Sequence, residues 1–386
     1  MTTVSSTVPL TGLPFPITEY ERRQQKVFEA MERAKIDALL VTAHGHLQYL
    51  SGYDGMGAYF MPFPLILVPG QKPIFVIREY ELGSVRLNSC VHEILTYRDE
   101  IGFAPVCADA IRQFGLHPRR IGLELGCWNL APADVSALQT HLPDAKFADA
   151  TRLVATVAAV KTEIELEAMR FAMKLTDVAV KTFQRSLREG ITEAEVAANI
   201  SQKVENAGGV VKPSLTLLFG ERTKLAHGSP KQHAISKNEP AFVELGGVKD
   251  GYPCGLVRSA VLGRHPETEA LHDLSIEVLE AAIAAIKPGA TAGEIDAAGR
   301  EVLKRSGCPE LLNHRIGYQT GINWLERGNI SLQPGATDII ESNMTLHMPI
   351  ILCGESGYLF GTSEHVVVTE HGAEILSDTP HTLYFA

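Results

Sequence analysis

The chain has 386 residues, 45% hydrophobic and 21% charged, which suits an ordinary globular protein too long for a single hydrophobic core. Thirty-five Lys and Arg against forty-five Asp and Glu leave a net charge of −10, so phosphate-backbone binding is excluded as the main task and no nucleic-acid partner is expected. Six scattered cysteines without a CxxC pair argue against a zinc knuckle or redox motif and for reduced thiols in a cytoplasmic protein. Residues 1–16 lack the basic and apolar regions of a signal peptide, and no apolar run nears the ~20 residues that span a bilayer, so no membrane association is expected.

In chain order, Val27, Phe28 and Met31 on a charged segment predict an amphipathic helix over residues 17–36. Residues 37–42 (DALLVT) read as a buried strand. The apolar runs 64–68 and 73–77 flank the turn Pro69-Gly70-Gln71-Lys72 and predict a hairpin. A helix near residues 109–114 and a strand over 120–125 complete an α/β domain, expected over residues 1–155. Long helical periodicity from Glu163 to about Leu187 opens a second domain, residues 156–386.

That second half carries an internal repeat. Thr192 with Glu195 and Thr291 with Glu294 form capping boxes, in which hydroxyl and carboxylate satisfy backbone N–H groups of the first helical turn. Each helix then meets a glycine at a matched distance, Gly208 and Gly307, as a left-handed C-cap requires. Each is preceded by a longer helix and followed by a histidine, His227 or His314, and a strand hairpin. The hairpins span residues 241–263, turning at Lys249-Asp250-Gly251, and 344–369, turning at Gly354-Glu355-Ser356-Gly357. A duplicated helix–helix–hairpin unit predicts a pseudo-two-fold α+β fold with both hairpins in one curved sheet and inner-face side chains converging on one cavity.

These residues resemble a known family. Lys161-Thr162-Glu163-Ile164, Leu225-Ala226-His227-Gly228, Val243-Glu244-Leu245-Gly246-Gly247, Arg258-Ser259 and Val367-Val368-Thr369-Glu370-His371-Gly372 are similar to landmarks of the pita-bread fold of methionine aminopeptidase, prolidase and creatinase. Tyr49-Leu50-Ser51-Gly52-Tyr53 is similar to a motif of the N-terminal domain in the creatinase and prolidase group. The resemblance implies an α/β N-terminal domain followed by an α+β pita-bread catalytic domain. Peptidases of this group bind two metal ions through two Asp, one His and two Glu. The corresponding positions here are Glu244, Gly255, His314, His347 and Ser363, so no metal pair and no other cofactor is expected, while Glu244, His314 and His347 leave a single ion open. The run Arg315-Ile316-Gly317-Tyr318 with Trp324, and Ser363-Glu364, look closest to the metal-free creatinase and ectoine hydrolase branch.

The expectation that follows is metal-independent hydrolysis of a non-peptide C–N bond in a small cationic or zwitterionic amidine or amide. His227 would be general acid/base, Glu244 base or nucleophile, Glu364 the partner of a substrate cation, and His347 a further catalytic group. His314, Tyr318, Arg258, Ser363, Trp324 and Tyr53 would bind the substrate, although packing is the more natural role for Trp324 and Tyr53, and Arg258 could instead pair with Glu244. Two other readings stand beside it: a metal-dependent Xaa-Pro dipeptidase-like enzyme or lyase, and a non-catalytic pita-bread binding module. By resemblance a homodimer acting on a small molecule is expected.

Overall fold

The structure, a computed structural model, describes residues 12–115, 120–211, 215–323 and 330–386. It divides into two compact units that meet between Ala158 and Ala159.

In the N-terminal unit, six strands form one sheet: β1 (Ala38–Val41), β2 (Leu65–Leu67), β3 (Ile74–Arg78), β4 (Glu93–Tyr97), β5 (Arg120–Leu123) and β6 (Lys146–Asp149), in the order β4-β3-β2-β1-β5-β6. The expected hairpin is β2–β3, with Leu65 opposite Phe75, and β1 runs parallel to β5. All four residues of β1 are buried, as a strand covered on both faces requires. The amphipathic helix Ile17–Ala34 buries Tyr20, Val27 and Met31 and ends at Lys35 in the left-handed conformation.

The C-terminal unit is the predicted α+β repeat. The helices Glu193–Asn206 and Ala292–Arg305 both open with capping boxes, Thr192 with Glu195 and Thr291 with Glu294. Gly208 and Gly307 follow them at φ 84° and 76°. Backbone hydrogen bonds repeat as well: Gly190 N–H donates to Ile235 O and Gly289 N–H to Ile340 O, each at 2.9 Å. The strands are β7 (Val210–Val211), β8 (Thr216–Phe219), β9 (Glu239–Lys249), β10 (Tyr252–Leu262), β11 (Gly317–Gln319), β12 (Ser331–Leu332), β13 (Thr345–Cys353), β14 (Leu359–Thr369), β15 (Gly372–Ile375) and β16 (Tyr384–Phe385). The hairpins are β9–β10 and β13–β14, and the long helices Glu163–Ser186 and Pro266–Ala284 pack on them.

The expectation of one continuous sheet is corrected. Hydrogen bonding gives two five-stranded sheets, β16-β10-β9-β7 with β8 on β9, and β12-β11-β13-β14-β15. Where β10 meets β14, side chains replace the ladder. Val257 N–H donates to Ser363 Oγ at 2.6 Å, Arg258 Nη1 donates to Ser363 O, and Ser259 Oγ donates to Gly361 O.

Close approach of helix and sheet needs glycine in each half of the repeat. A Cβ on Gly247 would lie 2.6 Å from Ala172 O of the helix Glu163–Ser186. On Gly361, a Cβ would run into the Ile350 carbonyl oxygen and lie 3.2 Å from Ser275 Cβ of the helix Pro266–Ala284. Gly361→Ala is expected to destabilise the protein by about 3 kcal/mol, the upper range for overpacking, read by chemical denaturation.

His272, on the helix Pro266–Ala284, is buried with both ring nitrogens lacking a hydrogen-bond partner. Burial, then the charges of Arg258 and His381, depress its pKa to about 4. The unfolded chain therefore takes up a proton first as pH falls below ~6.5, and stability present above that pH is lost on the way down to about 4. His272→Leu should lose roughly 2 kcal/mol less than the parent between pH 7 and 5, measured by urea unfolding at both pH values.

Candidate functional site

In the C-terminal unit, β9 and β10 on one side and β11, β13 and β14 on the other wall a cavity of about 340 Å³. Its polar lining includes His227, Glu244, His314 and Tyr318, and Phe242, Val257, Leu225, Ile351 and Leu359 make most of the rest apolar. That volume lies at the small end of the range for ligand pockets.

Each polar group reaches the cavity for a local reason. Glu244 stands opposite Val257 in the β9–β10 register, two residues from Phe242, so all three face inward by strand alternation. Its side chain is half-buried. His227 follows the short 3₁₀ segment Gly220–Lys224 and has φ 54°, a conformation that non-glycine residues seldom adopt. A Cβ on its neighbour Gly228 would lie 2.7 Å from Leu218, so the turn that exposes the imidazole is sterically specified.

His314 faces the cavity with both ring nitrogens against carbonyl oxygens, Nδ1 2.8 Å from Arg315 O and Nε2 3.1 Å from Ile351 O. Tyr318, on β11 opposite His347, is almost fully buried, and its hydroxyl lies 2.8 Å from His347 Nδ1. His347 Nε2 lies 3.0 Å from Ser363 Oγ. His347 and Ser363 thus sit behind Tyr318 and connect to the cavity through its hydroxyl.

Behind them lies a second buried histidine that sequence reading missed. His365 Nδ1 accepts from Gly255 N–H at 3.3 Å, so Nε2 carries the ring proton and donates to Thr320 Oγ1 at 2.7 Å. Burial holds its pKa at about 3, which keeps the ring neutral. Lys161 is buried nearby, donates to Ala159 O and Thr320 O, and is pushed down to about 8 by burial. Arg315 was also missed: it lines the cavity with its guanidinium 4.4 Å above the Tyr318 ring and donates to Ser331 Oγ. Counting by twos along β13 from His347 through Pro349 and Ile351 would have found Cys353 on the same wall.

Three expected site residues lie elsewhere. Arg258 and Glu364, each 1% exposed, pair with each other at 2.7 Å on the face of the strands opposite the cavity. Strand alternation explains this: Val257 and Ser363 take the inner face, and their neighbours must take the outer one. The partner of Glu364 is therefore Arg258 of the same chain, supported by Ser377 and His381, rather than a substrate cation, and Arg258 is not paired with Glu244. Tyr53 is buried in the N-terminal unit, edge-on to Phe75 at 5.8 Å, as a packing residue. Trp324 lies outside the described residues.

Residues 167–370 match the model of metallopeptidase family M24, and residues 23–160 match that of the creatinase/prolidase N-terminal domain. The chain is 30% identical over 390 residues to an uncharacterised hydrolase/peptidase, y4tM, of Sinorhizobium fredii, covering 96% of this chain and 98% of that one. It is 27% identical over 367 residues to a putative dipeptidase, YkvY, of Bacillus subtilis, covering 94% and 99%. The dipeptidase PepE of Mycobacterium ulcerans shares the fold with a TM-score of 0.85 at 23% identity, covering 96% of this chain and 100% of that one. These relatives overturn the expectation of a hydrolase of non-peptide C–N bonds, because those named for an activity are named as peptidases and dipeptidases.

A metallopeptidase family implies divalent ions, and the residues at the corresponding positions do not fit a pair of them. Gly255 offers no side chain, both His314 nitrogens face carbonyls, and both His347 nitrogens face hydroxyls. Among the described residues, no three His, Cys, Asp or Glu side chains form a group that could hold an ion. Holding two cations side by side needs several anionic oxygens, and Glu244 supplies the one carboxylate among the described residues that line the cavity.

Glu364→Gln leaves Arg258 charged and buried without its carboxylate. The variant should lose about 3 kcal/mol of stability in urea denaturation, while ligand affinity of the cavity stays within twofold of the parent.

Proposed function

From the premise that the chain belongs to metallopeptidase family M24 and carries a creatinase/prolidase N-terminal domain, we propose that it is a hydrolase of short peptides, with dipeptides as the first substrates to test. The observation that carries this reading is the small apolar-walled cavity that Glu244 and His227, both from the first repeat, line together. Its size suits a ligand of a few residues, and its walls suit an apolar side chain.

Within it, Glu244 takes a proton from water as the water oxygen attacks the scissile carbonyl carbon. His227, in its protonated form, gives a proton to the departing nitrogen as the C–N bond breaks. No step runs through a metal ion. His227 lies on a turn that commits its imidazole to the cavity rather than to the fold, and Glu244 projects from a strand whose register is set by ten further pairs. Both groups are thus placed by backbone that does not depend on them. A homodimer in the cytoplasm belongs to the same reading.

The test uses leucyl-alanine, phenylalanyl-alanine and leucyl-proline, with product amino acids read by chromatography. The parent should cleave at least one. Glu244→Gln and His227→Ala should each lower kcat/KM for it by about a hundredfold or more, at unchanged thermal midpoint. Full activity in both variants would remove these residues from the chemistry. Dipeptide binding without cleavage by the parent would leave a recognition module in place of a hydrolase.

A further inference from the structure

We infer that the groove between the helices Glu163–Ser186 and Glu193–Asn206 is a second binding site, for a small molecule bearing a diphosphate group, held by Lys181, Arg185 and Lys203. The groove shares no lining residue with the cavity of Glu244 and His227, so the inference does not rest on the peptide-hydrolysis reading.

Helical spacing decides what faces the groove. Leu175, Ala179 and Phe183 of the first helix and Val196, Ile200 and Val204 of the second belong to one buried apolar cluster. Positions three and four residues apart share a helix face, so Val178, Lys181, Thr182 and Arg185 line up beside that cluster on the first helix. Asn199, Gln202 and Lys203 do so on the second. With Ser186 they surround about 400 Å³. The lining therefore holds three cations, two carboxamides, two hydroxyls and one valine, and among the described residues no carboxylate. The Thr182 hydroxyl already donates to Val178 O at 2.7 Å, which leaves the cations, the carboxamides and Ser186 as donors toward a ligand.

Among the described residues, none of Lys181, Arg185 and Lys203 forms an ion pair. Other helical arginines of this unit do, Arg170 with Glu163, Arg300 with Asp296 and Arg305 with Glu301. Like charges one turn apart, as on Lys181 and Arg185, destabilise a helix. The negative helix ends favour Arg185 and Lys203, each in a last turn, but Lys181 lies outside that turn. In a chain of net charge −10, three unneutralised cations on one groove are a local conflict of the kind found at binding sites. An anion resolves it. Arginine offers phosphate a planar fork, lysine a compact charge, and the carboxamides complete the shell with neutral donors. One phosphate group carries about −1.5 to −2 near pH 7, so two linked groups match three cations, whereas one leaves cationic charge over. The volume suits a compact ligand rather than a polymer strand.

Calorimetry on the full chain in metal-free buffer tests this with pyrophosphate, orthophosphate, citrate and ADP. Pyrophosphate should bind as one molecule per chain, at least about tenfold more tightly than orthophosphate or citrate, which carries comparable charge without phosphate geometry. ADP binding as tightly as pyrophosphate would support a nucleotide as the carrier of the group, and ADP binding about tenfold more weakly would support free diphosphate. Arg185→Ala should weaken pyrophosphate binding about tenfold, and the double variant Lys181→Ala, Lys203→Ala about a hundredfold. Without ligand, both variants should melt no lower than the parent, because like-charge repulsion has been removed. No pyrophosphate binding at about 1 mM, equal affinity for orthophosphate or citrate, or unchanged affinity in both variants would overturn the inference.

Discussion

Where β10 meets β14, the two halves of the catalytic unit are joined by side chains instead of a backbone ladder. Arg258 reaches Val257 O, Ser363 O, Glu364 and Thr379 O, Ser259 reaches Gly361 O, and Ser363 receives Val257 N–H. The ion pair on the outer face of this seam is buried, so desolvation opposes it and pushes the arginine pKa down. Such a pair persists when most of its remaining donors and acceptors are filled; Ser377, His381 and Thr379 fill them here, and Arg258 Nε alone of the guanidinium nitrogens has no partner. The inner face of the same seam is the floor beneath the cavity. The bond that fixes Ser363 across the seam also sets the orientation of His347, and through it that of Tyr318. Seam and site are one structure seen from two sides.

Much of this architecture was legible in the sequence because it rests on local rules. Capping boxes at Thr192 and Thr291, C-terminal glycines at Gly208 and Gly307, and a turn at Asp250-Gly251 are written in few residues and survive any tertiary context. The repeat followed from their spacing. The join between its halves did not, since a seam made of arginine, serine and histidine side chains has no periodicity. Glu364 shows the limit well. Its parity with Ser363 was readable, and that parity already turned it outward; its partner Arg258, more than a hundred residues away, was not.

The site divides the same way. Glu244, His227, His314 and Tyr318 line one cavity; strand alternation explains Glu244 and Tyr318, a turn beside Gly228 explains His227, and two carbonyl contacts hold His314. His347 and Ser363 face the same way but lie one layer deeper. The bond to be cleaved was misread for a physical reason: the residues that stand at the carboxylate positions of the family say which pair of ions they do not fit, not which amide fits the remaining space. Space and walls are better guides. A cavity of about 340 Å³ with apolar sides accepts a short peptide as readily as a cyclic amidine, and the sequence relatives lie on the peptide side.

The most direct measurement is diffraction from crystals grown with manganese and soaked with the phosphinic analogue of leucyl-alanine, with data collected at the manganese edge. The account predicts the analogue seated between Glu244 and His227 and no anomalous peak in the cavity. Two anomalous peaks beside Glu244 and His314, with the phosphinate bridging them, would contradict it.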